Sequence, residues 1–421
     1  MASAPISMAR SNRHFVHFAS EKGEIVQPMA NTQHDTTYYD SCCSQRAIFD
    51  GNALYDAFLK AKEGSDWKPH VQKFEMNYLL EIAKIQDEIL NGSFEYSPCT
   101  TFILTERGKE RVIHGEQIRD RVVKHALCDE ILNPAIRRHL IYDNSASLPG
   151  KGIDFARRRL MVHLRKYYAA QRSDKGYILL IDYSKYYDNI RHEVLVDQIG
   201  KYVTDETSMW LLRKVVDRSK VDVSYMSDAE YSGCMDAVFN SNEYARLDSR
   251  SMNGQKYMAK HLNIGDQVAQ TAGIVYPTPI DNYIKIVRGV KYYARYMDDS
   301  YIIHESKEFL AELLENIIRI AAGIGITINR RKTHIYKLSE YWRFLQVQYS
   351  LTESGRVIRK INPKRITTMR RKMKKLSGRM TVTDYQNWFK SWMMGSKHYM
   401  SRLQLEGMIR LFNEEITKCI R

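Results

Sequence analysis

No window of this chain holds about eighteen consecutive apolar residues, so no membrane-spanning helix is expected. Residues 1–15 (MASAPISMARSNRHF) lack the apolar centre of a secretory signal. The six cysteines, Cys42, Cys43, Cys99, Cys128, Cys234 and Cys419, form no CxxC pair and no CxxC…HxxxH spacing, which argues against a zinc site. Cysteines scattered in this way fit a reducing cytoplasm. Internal repeats and low-complexity linkers are also missing. What the chain has in excess is positive charge: 64 Lys and Arg against 49 Asp and Glu, a net +15. A globular protein this basic is expected to meet a polyanion, with nucleic acid first and an anionic membrane surface second. Hydrophobic residues are 44% and charged residues 27% of 421, which suits a soluble globular class with a sizeable core. That length accommodates two or three units, or one large enzyme with subdomains.

Residues 1–45 are polar and aperiodic and read as an N-terminal extension, to be held by protein or RNA if held at all. FDGNALYDAFLKAKEG and FEMNYLLEIAKIQDEILNG each carry helical spacing and a Gly stop. TTFILTERGKERVIHG predicts a hairpin about Arg107-Gly108. QIRDRVVKHALCDEILNPAIRRHL predicts a helix that Pro134 ends or kinks. GYILLID has the apolar run of a buried strand, and helical spacing resumes at HEVLVDQIGKYV. Residues 215–262 show little periodicity and read as an insertion or long loop. GVKYYARYMDDSYIIHES is two β-rich halves meeting at Met297-Asp298, and FLAELLENIIRIAAGIG is a strong amphipathic helix. Short strands and turns are expected over 326–361, then a basic helical segment.

The acidic residues carry the chemistry. Asp182 ends one β-prone apolar run, and Asp298-Asp299 interrupt another about 115 residues later. Read alone, an Asp pair suits a hairpin turn. Crowded carboxylates on a sheet are costly, however, unless a cation compensates. Mg²⁺ takes oxygen ligands and few of them from protein. Three carboxylates on adjacent strands would therefore seat two Mg²⁺ ions for an in-line phosphoryl displacement.

Tyr296-Met297-Asp298-Asp299 resembles the YxDD box of reverse transcriptases. Asp182-Tyr183-Ser184-Lys185-Tyr186-Tyr187-Asp188 resembles their first catalytic motif, in which an aromatic follows the metal aspartate at five residues. The similarity spans roughly 90–400 in the correct motif order. It implies an α+β right-hand polymerase fold, with fingers over 46–175, palm over 176–355 and a basic helical thumb over 356–421. It implies that Asp182, Asp298 and Asp299 bind metal together with the Tyr183 carbonyl, and that Tyr187 is the steric gate against a ribose 2′-hydroxyl. A core aromatic is the plainer alternative for Tyr187.

LNIGDQVAQTAG resembles the motif along the templating base and incoming nucleotide, where Gly265 admits close backbone approach and Gln270 touches template or primer. A Gly-started amphipathic helix explains the same spacing. The IGxxxxQ pattern resembles diversity-generating retroelements and abortive-infection or other defence enzymes, and departs from the QGxxxSP of retroviral and group II intron enzymes. In KERVIHGEQIRDR, Arg111 matches the triphosphate arginine and Arg121 lies in the following block; Lys109 fits a solvated hairpin better. LPGKGIDFARRRL leads into a helix near the template in this family, which makes Lys151 and Arg157–Arg159 backbone-contact candidates beside the alternative of a solvated face. Lys332 matches the lysine proposed to protonate the leaving pyrophosphate, and a surface lysine fits equally. WRFLQVQYS resembles the primer grip, with Gln346 where Gly is usual. In the thumb, Arg370, Arg371 and Lys374 suit a phosphate backbone. Trp388, Phe389, Trp392 and Tyr399 would stack on nucleic acid or fill a core.

The resemblance thus implies a magnesium-dependent RNA-directed DNA polymerase of bacterial or phage type. Its implied substrates are dNTPs and a template RNA, a dedicated non-coding RNA among the expectations, and its product is cDNA. Homo-oligomers or accessory proteins are implied as partners, with no membrane. No protease, RNase H or integrase pattern is present, and no room for a nuclease is expected after the thumb. The rival from another class is a non-catalytic RNA-binding scaffold, which predicts a lost metal carboxylate; all three are present. Untemplated or protein-primed synthesis is a third reading.

Overall fold

The computed structural model describes residues 50–106, 109–244 and 253–420. The expected extension at 1–45 and the hairpin tip Arg107-Gly108 lie outside these residues, as does the side chain of Lys109.

The chain opens with three helices: α1 (Gly51–Lys62), α2 (Pro69–Met76) and α3 (Tyr78–Leu90). Asp50 caps α1 by accepting from the Asn52 N–H at 2.9 Å. The second helical pattern is broken at Asn77, which separates α2 from α3. An antiparallel ribbon follows, β1 (Thr100–Glu106) with β2 (Lys109–Gly115), in the register Glu106↔Lys109 that the sequence predicts. Next is α4 (Ile118–Ala126), a π-helical turn at Leu127–Leu132, and α5 (Asn133–Arg137). Pro134 has no N–H to continue the α-ladder, and the wider turn just before it absorbs the break.

The long α6 (Ile153–Gln171) leads into β3 (Tyr177–Ile181). Then come α7 (His192–Gly200), α8 (Glu206–Arg218), β4 (Val221–Asp222), α9 (Asp228–Asp236), α10 (Ser241–Tyr244) and β5 (Tyr257–Met258). The segment read as a loop over 215–262 is therefore partly ordered. It includes the end of α8, a β4–β5 ladder and a small core of Val223, Met226, Phe239 and Met258. Val223 and Met226 are close in sequence, but Phe239 and Met258 lie well beyond them, so no period joins the four and they meet through long-range packing.

After α11 (Gln267–Val275) and α12 (Thr278–Asn282) come β6 (Tyr292–Tyr296), β7 (Asp299–His304) and α13 (Lys307–Gly323). Strands β8 (His334–Lys337), β9 (Trp342–Phe344), β10 (Val347–Leu351) and β11 (Val357–Ile361) precede the final helices α14 (Pro363–Leu376), α15 (Val382–Met394) and α16 (Arg402–Ile416). The central sheet has the order β6-β7-β3-β8, with every pair antiparallel; β9, β10 and β11 form a second sheet. The α+β expectation holds.

Period-two alternation explains why the central strands read as apolar throughout. Leu179, Ile181, Tyr293 and Ile302 join one core with Leu310, Leu313 and Ile317 of α13. Ile178, Ala294, Tyr301 and Ile303 join another with Leu160, Leu164 and Tyr167 of α6 and with Trp342 and Tyr349 of the second sheet. The C-terminal helices enclose a third, in which Phe389 and Phe412 stack at 4.2 Å between ring centroids. The aromatics of this segment are thus largely core, as the plainer reading had it.

Candidate active site

β6 and β7 are joined through Met297 and Asp298, with Tyr296 paired to Asp299. Met297 has φ +54°, a left-handed conformation that a non-glycine residue holds at a cost. Arg295 holds it there. Its buried guanidinium pairs with Asp281 (Nη2–Oδ2 2.6 Å) and donates to the carbonyls of Ile274 (2.8 Å) and Met297 (3.2 Å). Tyr293 donates to the same Asp281 at 2.5 Å. Asp281 lifts the Arg295 pKa in spite of burial, which pulls it down. Sequence reading missed this clamp, although Arg295 lies two residues from the turn.

β3 pairs with β7 up to Ile181↔Ser300, so the next pair in that register is Asp182 and Asp299. Cross-strand partners lie about 5 Å apart at Cβ. Burial, followed by Asp298 and Asp182, pushes the Asp299 carboxyl up to about 7, with Lys332 opposing. Lys332 Nζ lies 2.8 and 3.0 Å from the two Asp182 oxygens. Asp182 is thus covered by this ammonium, while Asp298, Asp299 and Lys332 line the cleft. Asp182 O accepts from Asn329 N, and Ser184 N donates to Thr327 O, each at 2.8 Å. Backbone groups alternate along an extended chain, so the Tyr183 carbonyl faces the other edge, towards the Asp298 turn.

Magnesium fits this oxygen-only set. The Lys332 ammonium on Asp182 sits where a cation would be favourable, and burial together with Asp298 and Asp182 raises the Asp299 carboxyl. Among the described residues no three or more His, Cys, Asp or Glu side chains are grouped so that they could hold a metal ion by themselves. Mg²⁺ needs no such group, because water and substrate phosphates fill most of its octahedron.

The cleft holds about 1590 Å³. Tyr187 lines it with its ring between Met297 Sδ (3.8 Å from the hydroxyl) and Gly273, where an added Cβ would stand 2.7 Å from that hydroxyl. Burial raises the Tyr187 pKa, so the hydroxyl stays protonated. Arg111 lines the same cleft from β2, opposite Leu104 in the ribbon. Ser241, Asn242 and Glu243 of α10 complete that wall, and sequence reading assigned them nothing. Asn242 Oδ1 accepts from Val112 N at 3.3 Å, beside Arg111.

Gly265 has φ +102°, a conformation suited to glycine, and Asp266 then caps α11 by accepting from Val268 N at 2.7 Å. Lys124 joins Asp266 and Glu116 in a buried ion triad that ties this cap to α4. Gln270 lies on α11 outside the cleft lining, and its Oε1 accepts from Ser147 Oγ at 3.2 Å. Arg121 turns away from the cleft to donate to Ser65 Oγ at 3.0 Å, because its position on α4 faces the N-terminal helices. Lys151 spends its ammonium on the carbonyls of Tyr142 (2.7 Å) and Asn144 (2.9 Å), bracing the turn before α6. Arg157 donates to Leu345 O at 2.9 Å, and Arg159 pairs with Asp143. Arg370, Arg371 and Lys374 are exposed on α14. Gln346 has φ +71° and Leu345 +44°, so the β9–β10 turn has the backbone that glycine usually provides.

Protein YkfC of Escherichia coli (strain K12) is 21% identical over 237 residues, which is 50% of this chain and 60% of that protein. The chain therefore spans less than two thirds of that relative's length. A family model described as reverse transcriptase (RNA-dependent DNA polymerase) matches residues 103–349, more than half of the chain. The match begins on the ribbon that carries Arg111 and ends in β10, taking in both acidic motifs; the chain belongs to the reverse transcriptase family.

Proposed function

We propose that this protein copies RNA into DNA by two-metal nucleotidyl transfer. The observation that carries the proposal is the strand register that sets Asp182, just past β3, across from Asp299 at the start of β7, with Asp298 in the turn before it, beside a cleft large enough for a nucleotide and a template base. The family's fold is a right hand. Residues 46–175 act as fingers, 176–355 as palm and 356–421 as thumb. Two Mg²⁺ ions, held by the three carboxylates and the Tyr183 carbonyl, would activate the primer 3′-hydroxyl and offset charge on the leaving pyrophosphate. Arg111 holds the triphosphate through its fork of N–H donors. Tyr187 fills the space that a 2′-hydroxyl would need. Lys332, once released from Asp182, gives a proton from its Nζ to the leaving oxygen. Gly265 lets the backbone close on the nucleotide, Gln270 steadies the template-side turn at Ser147, and α14 grips the duplex backbone through Arg371.

The template is a dedicated structured non-coding RNA, and the product cDNA serves antiviral defence or a diversity-generating retroelement. The IGxxxxQ motif supports that narrower reading. Copies of this chain or accessory proteins assemble with it. The test is primer extension by the full chain with Mg²⁺ and dNTPs on a primed RNA template, comparing Asp298→Ala. Incorporation is expected to fall by at least about 100-fold, the scale of losing a preorganised electrostatic group. Equal extension by both proteins refutes the two-metal site. Extension with template omitted refutes templated copying.

A further inference from the structure

The residue after buried Lys260 is held in a way that folding alone does not require. His261 has φ +112°, outside the regions that a side chain with a Cβ normally occupies. Its backbone is pinned on both sides. Its N–H donates to Ile190 O at 3.1 Å, and its carbonyl accepts from His192 Nε2 at 2.7 Å. Burial brings His192 down to about 4, so that ring is neutral and Nε2 carries its proton.

The His261 ring is fixed as well. Nδ1 lies 2.9 Å from Asp188 Oδ1, and Ser241 Oγ of the insertion donates to the same oxygen at 2.7 Å. Asp188 directly follows Tyr187, and all four residues line the cleft. Among the described residues nothing hydrogen-bonds to Nε2 of His261, and that atom is not sealed from the cleft. A strained backbone and an oriented ring with one free nitrogen are the features expected of a group held for a ligand.

The tautomer decides the ligand chemistry. A carboxylate only accepts, so the Nδ1 proton faces Asp188. In the neutral ring, Nε2 then presents a lone pair, which pairs with a hydroxyl and not with a phosphate oxygen. The sugar of a deoxynucleoside triphosphate has one hydroxyl, at C3′. We propose that His261, oriented by Asp188 and Ser241, accepts a hydrogen bond from the 3′-hydroxyl of the incoming nucleotide. The inference rests on the polymerase reading above and adds a specificity-determining residue to it. It also gives the insertion a task, because Ser241 reaches the site only through that segment.

The test is single-nucleotide incorporation by the full chain on a primed RNA template with one adenine next to the primer end, with dTTP alone and with its 2′,3′-dideoxy analogue. His261→Asn is the main variant, since asparagine tolerates positive φ, and Ser241→Ala is the second. For His261→Asn, KM for dTTP is expected to rise about five- to tenfold, the scale of one hydrogen bond, with KM for the dideoxy analogue unchanged. Ser241→Ala should give a smaller shift of the same pattern. A KM that rises equally for both nucleotides, or for neither, overturns the contact. Failure of the wild-type protein to incorporate either nucleotide overturns the polymerase reading, and the contact with it.

Discussion

Asp299 shows how a single side chain reports on what its neighbours need. Its carboxyl, pushed up to about 7, holds a proton well above the usual carboxylate range because it is buried beside Asp298 and Asp182. Folding therefore raises its proton affinity. The stabilising contribution of that proton is complete below about pH 4, the ordinary Asp value, and is lost as pH rises through about 7. Without metal, the melting temperature of the wild-type protein is expected to fall relative to Asp299→Asn between pH 5 and 8. Saturating Mg²⁺ should erase that difference. Parallel melting curves for the two proteins across this range would contradict the crowding of the three carboxylates. At Tyr187, Tyr187→Ala is expected to raise the relative efficiency of NTP over dNTP incorporation by tenfold or more, on the scale of removing a steric block worth about 1.4 kcal/mol or more. Ribonucleotide incorporation as poor as before would remove Tyr187 from the gate position.

Among the elements, the β9–β10 turn has the backbone of one sequence and the side chain of another. A two-residue hairpin of this kind wants φ above zero at both positions, and Leu345 and Gln346 supply it without glycine. Gln346→Gly is expected to stabilise the protein by about 1 kcal/mol, the usual cost of a left-handed non-glycine residue, read as a higher melting temperature. An unchanged or lower value would mean that the Gln346 side chain stabilises the turn by other contacts. The strands and helices that build the site were legible in sequence because each is periodic over its own length. The β6–β7 hairpin, α11 and α13 fall where their patterns put them. What stayed hidden needs partners far along the chain. Arg295 finds Asp281 across a helix, Lys124 finds Asp266 some 140 residues away, and the insertion's core joins Val223 to Met258. Arg121 and Lys151 read as nucleic-acid contacts because a sequence shows charge but not direction; in the fold they brace the N-terminal helices and the turn before α6.

At the scale of the whole molecule the excess of positive charge has a place. The exposed faces of α14 present Lys364, Arg371, Lys372 and Lys375, and no opposing ion pair covers them among the described residues. Binding to a primed RNA template should weaken steeply with salt, and each phosphate contact contributes about 0.7 to 0.9 to the slope of log K against log salt. The double substitution Arg371→Glu and Lys375→Glu is expected to lower that slope by roughly 1.4 to 1.8 and to weaken all sequences alike. A slope equal to wild type would move the nucleic-acid path elsewhere.

The pairing of Ile181 with Ser300 has one more consequence. Side chains alternate between faces along both strands, so adding or deleting a single residue in β3 or β7 would turn every carboxylate beyond it to the wrong side. Descendants of this protein can trade one amino acid for another along these strands, but they cannot change the count.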